Sequence, residues 1–425
     1  MPIWTICGGN SLHGELTVQG AKNAVLPILA ASLMGGGDTI IENSPKLLDV
    51  DASIEILSHL GCRVMQNGGE IMVNSDCITK THIPHGLMLK MRSSVMFLGA
   101  ILARCGEVRL SAPGGCELGS RPIDLHLKAL RELGAEIEVS GGEVYCRAAG
   151  LKGKHINLEF PSVGATENLM LAACAAEGET VLTNAAREPE ICDLQTFLNA
   201  KGARISGAGT SEVHISGVSV WNRETQHRVM PDRIAAATYL CCTAAAGGEL
   251  LLRDAVAQHL EPVLSALRSM GCAVETQSDR IYLRSSGILR ACRPIITKPY
   301  PGFPTDAQAL LMAASLRAEG TSVFVENIFE DRFRHVPELR RLGADIRTEG
   351  RVAMVTGVSR LTGAPVCAGD LRGGAALVLA GLSAEGKTTV SDSGCICRGY
   401  ENFSENLSKL GADVSRCDMP CPSAE

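Results

Sequence analysis

Gly343-Ala-Asp-Ile346 ends a helical pattern on a glycine and opens a strand pattern on a β-branched residue, and the chain makes this move six times. The other copies are Gly61-Cys-Arg-Val64, Gly134-Ala-Glu-Ile137, Gly202-Ala-Arg-Ile205, Gly271-Cys-Ala-Val274 and Gly411-Ala-Asp-Val414, at intervals of 73, 68, 69, 72 and 68 residues. A second glycine recurs in step at Gly37, Gly106, Gly178, Gly248, Gly320 and Gly386, at intervals of 69, 72, 70, 72 and 66. Two markers in phase define a sixfold internal repeat. Each unit reads helix, strand, helix, strand, strand, as in Lys22 to Met34, Thr39 to Glu42, Val50 to Leu60, Arg63 to Gln66 and Glu70 to Val73. Strands alternating with helices predict an α/β protein with mixed sheets and helices packed on them.

A unit of about 70 residues is too small to be comfortable alone, so three copies are expected to share each core. The strands around Ile3 to Ile6 and Glu15 to Gln19 precede the first repeat and are assigned to the last three. The expected domains are therefore 1–21 plus 230–425, and 22–229, with the chain crossing between them near Gly20 to Lys22 and Arg228 to Pro231. The totals fit: 425 residues, 45% hydrophobic and 20% charged, allow two or three cores. With 45 glycines and only 4% aromatic residues, the interior should be closely packed helices. A net charge of -6 argues against nucleic acid or an anionic membrane as partner. The longest low-charge run, Ile234 to Gly248, falls short of the roughly twenty residues that span a bilayer, so it reads as a buried helix and no membrane insertion is expected. Seventeen scattered cysteines without a C-x-x-C pair, behind an N-terminus unlike a signal peptide, read as reduced thiols of a cytoplasmic protein. Cys395, Cys397, Cys417 and Cys421 match no zinc spacing, so no metal is expected.

The repeat also aligns helix beginnings. The first helix of each unit starts on polar or charged residues: Lys22-Asn23, Arg92, Ser162, Asp232-Arg233, Thr305-Asp306, and Asp370 with Arg372. The loop before the second helix carries Lys46, Arg121, Arg187, Arg332 or Arg398 in five of the six units. With three units about a pseudo-threefold axis, equivalent helix N-termini and guanidinium groups make a face suited to a polyanion. Each residue also has a plainer reading, since most arginines are solvated, Asn23 could cap its helix, Asp306 could be a first-turn carboxylate, and His126 reads as structural. The loop Ser111-Ala-Pro-Gly-Gly-Cys116-Glu-Leu-Gly-Ser-Arg121-Pro122 has three glycines and two prolines and offers its thiol little to pack against. Arg121 and the N-terminus of the helix that follows should lower the Cys116 pKa, which makes that thiol a candidate for catalysis. Gly381-Leu-Ser-Ala-Glu-Gly386-Lys-Thr388 satisfies the P-loop expression, but a helix precedes it and a strand follows, the reverse of what phosphate binding requires.

Together Gly20-Ala-Lys-Asn23, Pro113-Gly-Gly-Cys116 with Arg121-Pro122, Pro161-Ser-Val-Gly-Ala-Thr-Glu-Asn168, Ala186-Arg-Glu-Pro-Glu190, Phe303-Pro-Thr-Asp306, Asp370-Leu-Arg372 and Arg398-Gly-Tyr400 closely resemble the UDP-N-acetylglucosamine enolpyruvyl transferases of peptidoglycan synthesis, over about residues 5 to 415. The resemblance implies two inside-out α/β barrel domains, each of three βαβαββ-type repeats with pseudo-threefold symmetry. It implies transfer of enolpyruvate from phosphoenolpyruvate to the sugar 3-hydroxyl with release of phosphate, and no cofactor. It implies that Lys22, Arg121 and Arg398 clamp the phosphate and that Arg332 and Arg372 hold the carboxylate of phosphoenolpyruvate. By the same resemblance Asp306 removes the hydroxyl proton, and Cys116 protonates C3 and can form an adduct. Asn23, Arg92, Asp124, His126, Ser162, Val163, Gly164, Glu190 and Ile328 are implied in binding the UDP-sugar. Phe160 replaces a lysine of some members, and Asp331 an asparagine of many, without removing a group the chemistry requires. Two rivals share the fold: an enolpyruvyl transferase with a phosphorylated, non-nucleotide acceptor, and a silent paralogue that only binds the nucleotide sugar. The first lacks the Pro-Gly-Gly-Cys loop, and the second should have lost at least one of Lys22, Cys116, Asp306, Arg332, Arg372 and Arg398.

Overall fold

The computed structural model describes residues 2–111 and 123–418. The expectations for Cys116 and Arg121 fall outside the described residues, as does the end of the cysteine set at Cys421. Residues 2–19 with 231–418 form one compact unit, and 20–111 with 123–230 form another. Each has its own apolar core: one runs from Trp4 to Val18 and from Ala235 to Val414, the other from Ala21 to Val229.

Six four-stranded sheets share one plan. In the second repeat His82–Ile83 lies parallel to Glu107–Ser111, which pairs antiparallel with Glu143–Arg147, itself antiparallel to Glu136–Ser140. The third and fifth repeats use the same order. The other three borrow a strand. Glu224–Arg228 lies parallel to Asp38–Glu42 of the first repeat, and Leu12–Thr17 lies parallel to Gly248–Arg253 of the fourth. Pro2–Cys7 sits antiparallel between Lys387–Asp392 and Asp413–Asp418 of the sixth. The strand expected from Glu15 begins instead at Leu12, because Gly248 lets the two backbones close up: a Cβ there would lie 2.0 Å from the Leu12 carbonyl oxygen. A short parallel strand before the first helix, only two residues long at His82 and at Ile295, completes the βαβαββ unit.

The repeat glycines have a common cause. Gly61, Gly134, Gly202, Gly271, Gly343 and Gly411 all have φ between 93° and 112°, a left-handed conformation that glycine adopts without a Cβ penalty. In each copy the next residue, Cys62, Ala135, Ala203, Cys272, Ala344 or Ala412, donates its N–H back to a helix carbonyl five residues earlier at 2.9–3.3 Å. That bond closes the helix and points the chain into the strand.

The first helices of the repeats are buried nearly all round, as a helix enclosed by other elements must be. In Arg233–Ala246 every residue from Ile234 to Ala245 is buried, and in Leu371–Leu382 every residue from Arg372 on. These two helices and Thr305–Ala314 pack against one another, with alanine and glycine keeping the backbones close. In the other unit Phe97–Cys105 packs on Val163–Ala173 and touches Lys22–Ala31. The sheets lie outside, one face exposed, as the alternating pattern of Val352–Thr356 shows. Each unit is thus an α/β barrel turned inside out, helices within and sheets without. The P-loop-like run starts in a helix and ends in strand Lys387–Asp392, so it is a copy of the repeat glycine. No helix among the described residues is long and apolar enough to cross a membrane.

Candidate active site

In the unit built on residues 231–418 the site grows from the start of helix Thr305–Ala314. Asp306 lies in its first turn, where the helix dipole favours a carboxylate. Arg332 Nη2 donates to Asp306 Oδ1 at 3.0 Å and to the Thr305 carbonyl at 3.1 Å. Arg372 Nη2 donates to Asp306 Oδ2 at 3.3 Å. Both arginine side chains are only 3% exposed, against 28% for Asp306, so the plainer reading of them as solvated charges is overturned. Their burial is supported from below: the Arg372 guanidinium lies 5.3 Å from the Tyr400 ring centre, and that of Arg332 lies 5.7 Å from Phe329. Tyr400 stacks on Phe403, and its hydroxyl meets Thr238 Oγ1 at 2.9 Å. Burial opposes the charge on Arg372, yet Tyr400, Asp306 and Asp232 outweigh it and hold its pKa above the ordinary arginine value.

Three guanidinium nitrogens here, Arg332 Nε and Arg372 Nε and Nη1, are buried without a hydrogen-bond partner among the described residues. Unused donors on charged, buried groups are costly within the chain and suit an anion brought from outside. Asp370 caps the helix that carries Arg372, accepting from the Arg372 and Gly373 N–H groups at 3.0 Å. His335, behind Arg332, is held neutral: burial lowers its pKa to about 4, with Arg332 lowering and Asp370 raising it. Arg398 ends a short 3-10 turn and is half-buried. Ile328 lies on the loop that leads to Arg332, its N–H bonded to Glu326. Asp331 is exposed, so water screens its charge beside Arg332.

In the unit built on residues 20–230, Lys22 opens helix Lys22–Ala31 and its Nζ contacts Asp49 Oδ2 at 2.6 Å, the two side chains being 10% and 1% exposed. Asn23 is within the helix rather than its cap, since the cap position is Ala21 and makes no side-chain bond. Ser162 caps helix Val163–Ala173, its Oγ accepting from Ala165 N–H at 3.4 Å, with Val163 and Gly164 half-buried beside it. His126 is buried against this turn: a Cβ on Gly164 would lie 3.0 Å from His126 Cε1. Asn168 Nδ2 donates to His126 Nδ1 at 2.8 Å while Asn168 Oδ1 accepts from Gly99 N–H at 2.7 Å. Burial lowers the His126 pKa to about 4.

Asp124 is exposed at the start of helix Asp124–Glu132, and Arg92 opens the 3-10 turn Arg92–Met96. Glu190 is buried in the first turn of Pro189–Ala200, near Glu167, whose pKa is raised by burial and then by Glu190 and Glu188. One cluster thus unites Asp306, Arg332 and Arg372, a second unites His126, Ser162 and Gly164, and a pair joins Lys22 to Asp49. Sequence reasoning did not single out Asp49, His335 or Glu326, and it gave Tyr400 no role beyond its place in the Arg398-Gly-Tyr400 motif. Asp49 and Glu326 each stand at a fixed offset from a repeat glycine, and that signal could have found them.

The profile of the EPSP synthase (3-phosphoshikimate 1-carboxyvinyltransferase) family matches residues 6–407. UDP-N-acetylglucosamine 1-carboxyvinyltransferase 2 of Caldanaerobacter subterraneus subsp. tengcongensis is 50% identical, over 98% of this chain and 100% of its own. UDP-N-acetylglucosamine 1-carboxyvinyltransferase 1 of Symbiobacterium thermophilum is 47% identical over 97% and 95%. Among solved structures, the enolpyruvyl transferase NikO from Streptomyces tendae superposes with a TM-score of 0.89 at 26% identity, covering 99% of each chain. EPSP synthase from Acinetobacter baumannii gives 0.74 at 20% identity, covering 98% of this chain and all of its own, a likeness of fold. With a sixfold repeat folded into two such units and relatives matched over nearly their full length, the chain belongs to the enolpyruvyl transferase family of the UDP-N-acetylglucosamine 1-carboxyvinyltransferases.

Proposed function

We propose that this chain transfers the enolpyruvyl group of phosphoenolpyruvate to the 3-hydroxyl of UDP-N-acetylglucosamine, releasing phosphate, as the first committed step of peptidoglycan synthesis in the cytoplasm, and so serves wall growth, cell shape and division. The observation that carries the reading is one carboxylate, Asp306, held between two buried arginines that keep unused donors. Arg332 and Arg372 take the carboxylate of phosphoenolpyruvate, and Lys22, Arg121 and Arg398 its phosphate. A substrate carboxylate drawn to those donors competes for the guanidinium groups and frees Asp306 to act as base. Asn23, Arg92, Asp124, His126, Ser162, Val163, Gly164, Glu190 and Ile328 line the UDP-sugar, the helix start at Ser162 offering backbone N–H groups to the diphosphate.

As the 3-hydroxyl oxygen attacks C2, its proton passes to Asp306, and the Cys116 thiol gives its proton to C3. The tetrahedral intermediate then collapses: the thiolate recovers the proton from C3, the double bond re-forms, and the C2–O bond to phosphate breaks. The proton held by Asp306 leaves with the phosphate, so the cycle balances without a cofactor. The Cys116 thiol can also add across the double bond of bound enolpyruvate, its sulfur to C2 and its proton to C3, giving a covalent adduct.

A phosphate-release assay tests the reading: turnover should require both phosphoenolpyruvate and UDP-N-acetylglucosamine. Cys116→Ser should nearly abolish turnover while leaving UDP-sugar binding intact. Release that proceeds with shikimate 3-phosphate but not with the nucleotide sugar would replace the acceptor, and binding of the nucleotide sugar without any turnover would mark a silent paralogue.

A further inference from the structure

In five of the six repeats the residue six positions after the second repeat glycine is described, and it is the last residue of the strand that follows or the first beyond it. In one unit these residues are Asp254, Glu326 and Asp392; in the other, Asn43 and Asn184 hold the equivalent place. The asparagines sit at φ of 56° and 54° and donate from Nδ2 to the Val229 and Leu158 carbonyls, a plain structural link to the neighbouring strand end. Six residues further on the charge pattern inverts: after Glu326 and Asp392 come Arg332 and Arg398, whereas after Asn43 and Asn184 come Asp49 and Glu190.

Both acids are buried and fasten the loop that delivers the arginine. Glu326 Oε1 accepts from Thr297 Oγ1 at 2.9 Å and from the N–H groups of Ile328 and Phe329 at 2.8 and 3.1 Å. Its Oε2 accepts from Thr305 Oγ1 at 3.0 Å, the residue beside Asp306. Asp392 Oδ1 accepts from the Gly394 and Cys395 N–H groups at 3.0 and 2.8 Å and from Cys395 Sγ at 2.9 Å. Asp392 Oδ2 accepts from Trp4 Nε1 at 3.2 Å and Ile396 N–H at 3.4 Å. A carboxylate has only acceptor sites, and here each oxygen meets donors. We propose that Glu326 and Asp392 are positioning residues for Arg332 and Arg398, fixing the loops that present these arginines to the anionic substrate, which rests on the enolpyruvyl-transfer reading above.

The two sites differ in what an amide would do. Every partner of Glu326 Oε2 is a hydroxyl, which can turn to accept, so Glu326→Gln keeps the lock and Glu326→Ala loses it. At Asp392 the outer oxygen faces two fixed N–H donors, so Asp392→Asn puts donor against donor. Steady-state kinetics should show the KM for phosphoenolpyruvate raised about tenfold or more in Glu326→Ala and Asp392→Asn, with Glu326→Gln close to wild type and, in Asp392→Asn, the KM for UDP-N-acetylglucosamine within about twofold of wild type. Thr305→Val, which removes one bond and spares the core, should raise the same KM by about threefold and stands in where Glu326→Ala fails to fold. An unchanged KM for phosphoenolpyruvate in these variants, or equal rises for both substrates in Asp392→Asn, overturns the inference. If the wild-type enzyme releases no phosphate, the enolpyruvyl-transfer reading falls first and this inference with it.

Discussion

His126 is neutral because of where it sits. Its ring is buried against the Gly164 turn, and its Nδ1 accepts from Asn168 Nδ2, so a second proton there would face a donor and burial opposes the charge. Its pKa falls from 6.5 to about 4 by burial. A histidine depressed on folding leaves stability intact above its unfolded pKa, and that stability is lost as pH falls through the window from 6.5 toward 4, because there the unfolded chain binds the proton and the folded chain does not. Over that window the folded state should lose up to roughly 3 kcal/mol relative to pH 7 through this one residue. His126→Gln keeps an acceptor for Asn168 but cannot titrate, so urea midpoints measured at pH 7 and pH 4.5 should lie closer together than in wild type. His335, also held near 4, supplies a similar dependence that the substitution leaves in place. An undiminished difference between the two midpoints would show that the ring is charged in the folded protein. None of this was legible in the sequence, where His126 is one polar residue in an amphipathic helix. Its partner Asn168 is 42 residues away, and the burial of Arg332 and Arg372 depends on an aspartate 26 and 66 residues distant.

At the scale of the element, helix Phe97–Cys105 and helix Val163–Ala173 approach so closely that Gly99 has no room for a side chain. A Cβ there would lie 2.3 Å from the Asn168 carbonyl oxygen and 3.1 Å from its carbon, backbone atoms that cannot swing aside. Gly99 N–H also donates to Asn168 Oδ1, so the contact fixes the residue that orients His126. Gly99→Ala should therefore push the helices apart at a cost at or above the upper end of the roughly 1–3 kcal/mol usual for overpacking, and weaken UDP-sugar binding as well. Denaturation midpoint and nucleotide-sugar titration check both parts, and a midpoint equal to wild type would contradict the packing. Elements were the scale most open to reading. A glycine forced to φ near 100° leaves a mark no other residue can replace, so six helix ends and six strand starts showed in the spacing. The two-residue strands at His82 and Ile295 left no such mark, because two residues carry no period. Helix Lys22–Ala31 starts at the residue its pattern indicates, but Asn23, a good cap by type, lies inside it, and the cap position is the extended residue Ala21.

For the whole molecule the decisive fact is that residues 2–19 fold with residues 231–418, and not with the repeat that follows them in sequence. Pro2–Cys7 is an interior strand of the sixth repeat's sheet, with Lys387–Asp392 on one side and Asp413–Asp418 on the other. Trp4 is 1% exposed, sets its ring edge-on to Phe403 at 6.0 Å, and donates Nε1 to Asp392 across 388 residues of chain. Removing a fully buried tryptophan costs about 3–5 kcal/mol, and here it also leaves an oxygen of Asp392 short of a donor. Trp4→Ala should then loosen a region at the opposite end of the sequence. Hydrogen exchange followed by peptide should show faster exchange in 387–392, 403–409 and 413–418, while 22–31, 97–105 and 163–173 keep wild-type protection because no residue of their core belongs to the cluster around Trp4. A chain simply cut in the middle into two successive domains would show the reverse, with the loss confined to the repeats nearest the N-terminus. Peptides 38–42 and 70–74 are the discriminating ones: both belong to the first repeat's sheet, which is completed by Glu224–Arg228 and not by the N-terminal strand, so their protection should not change.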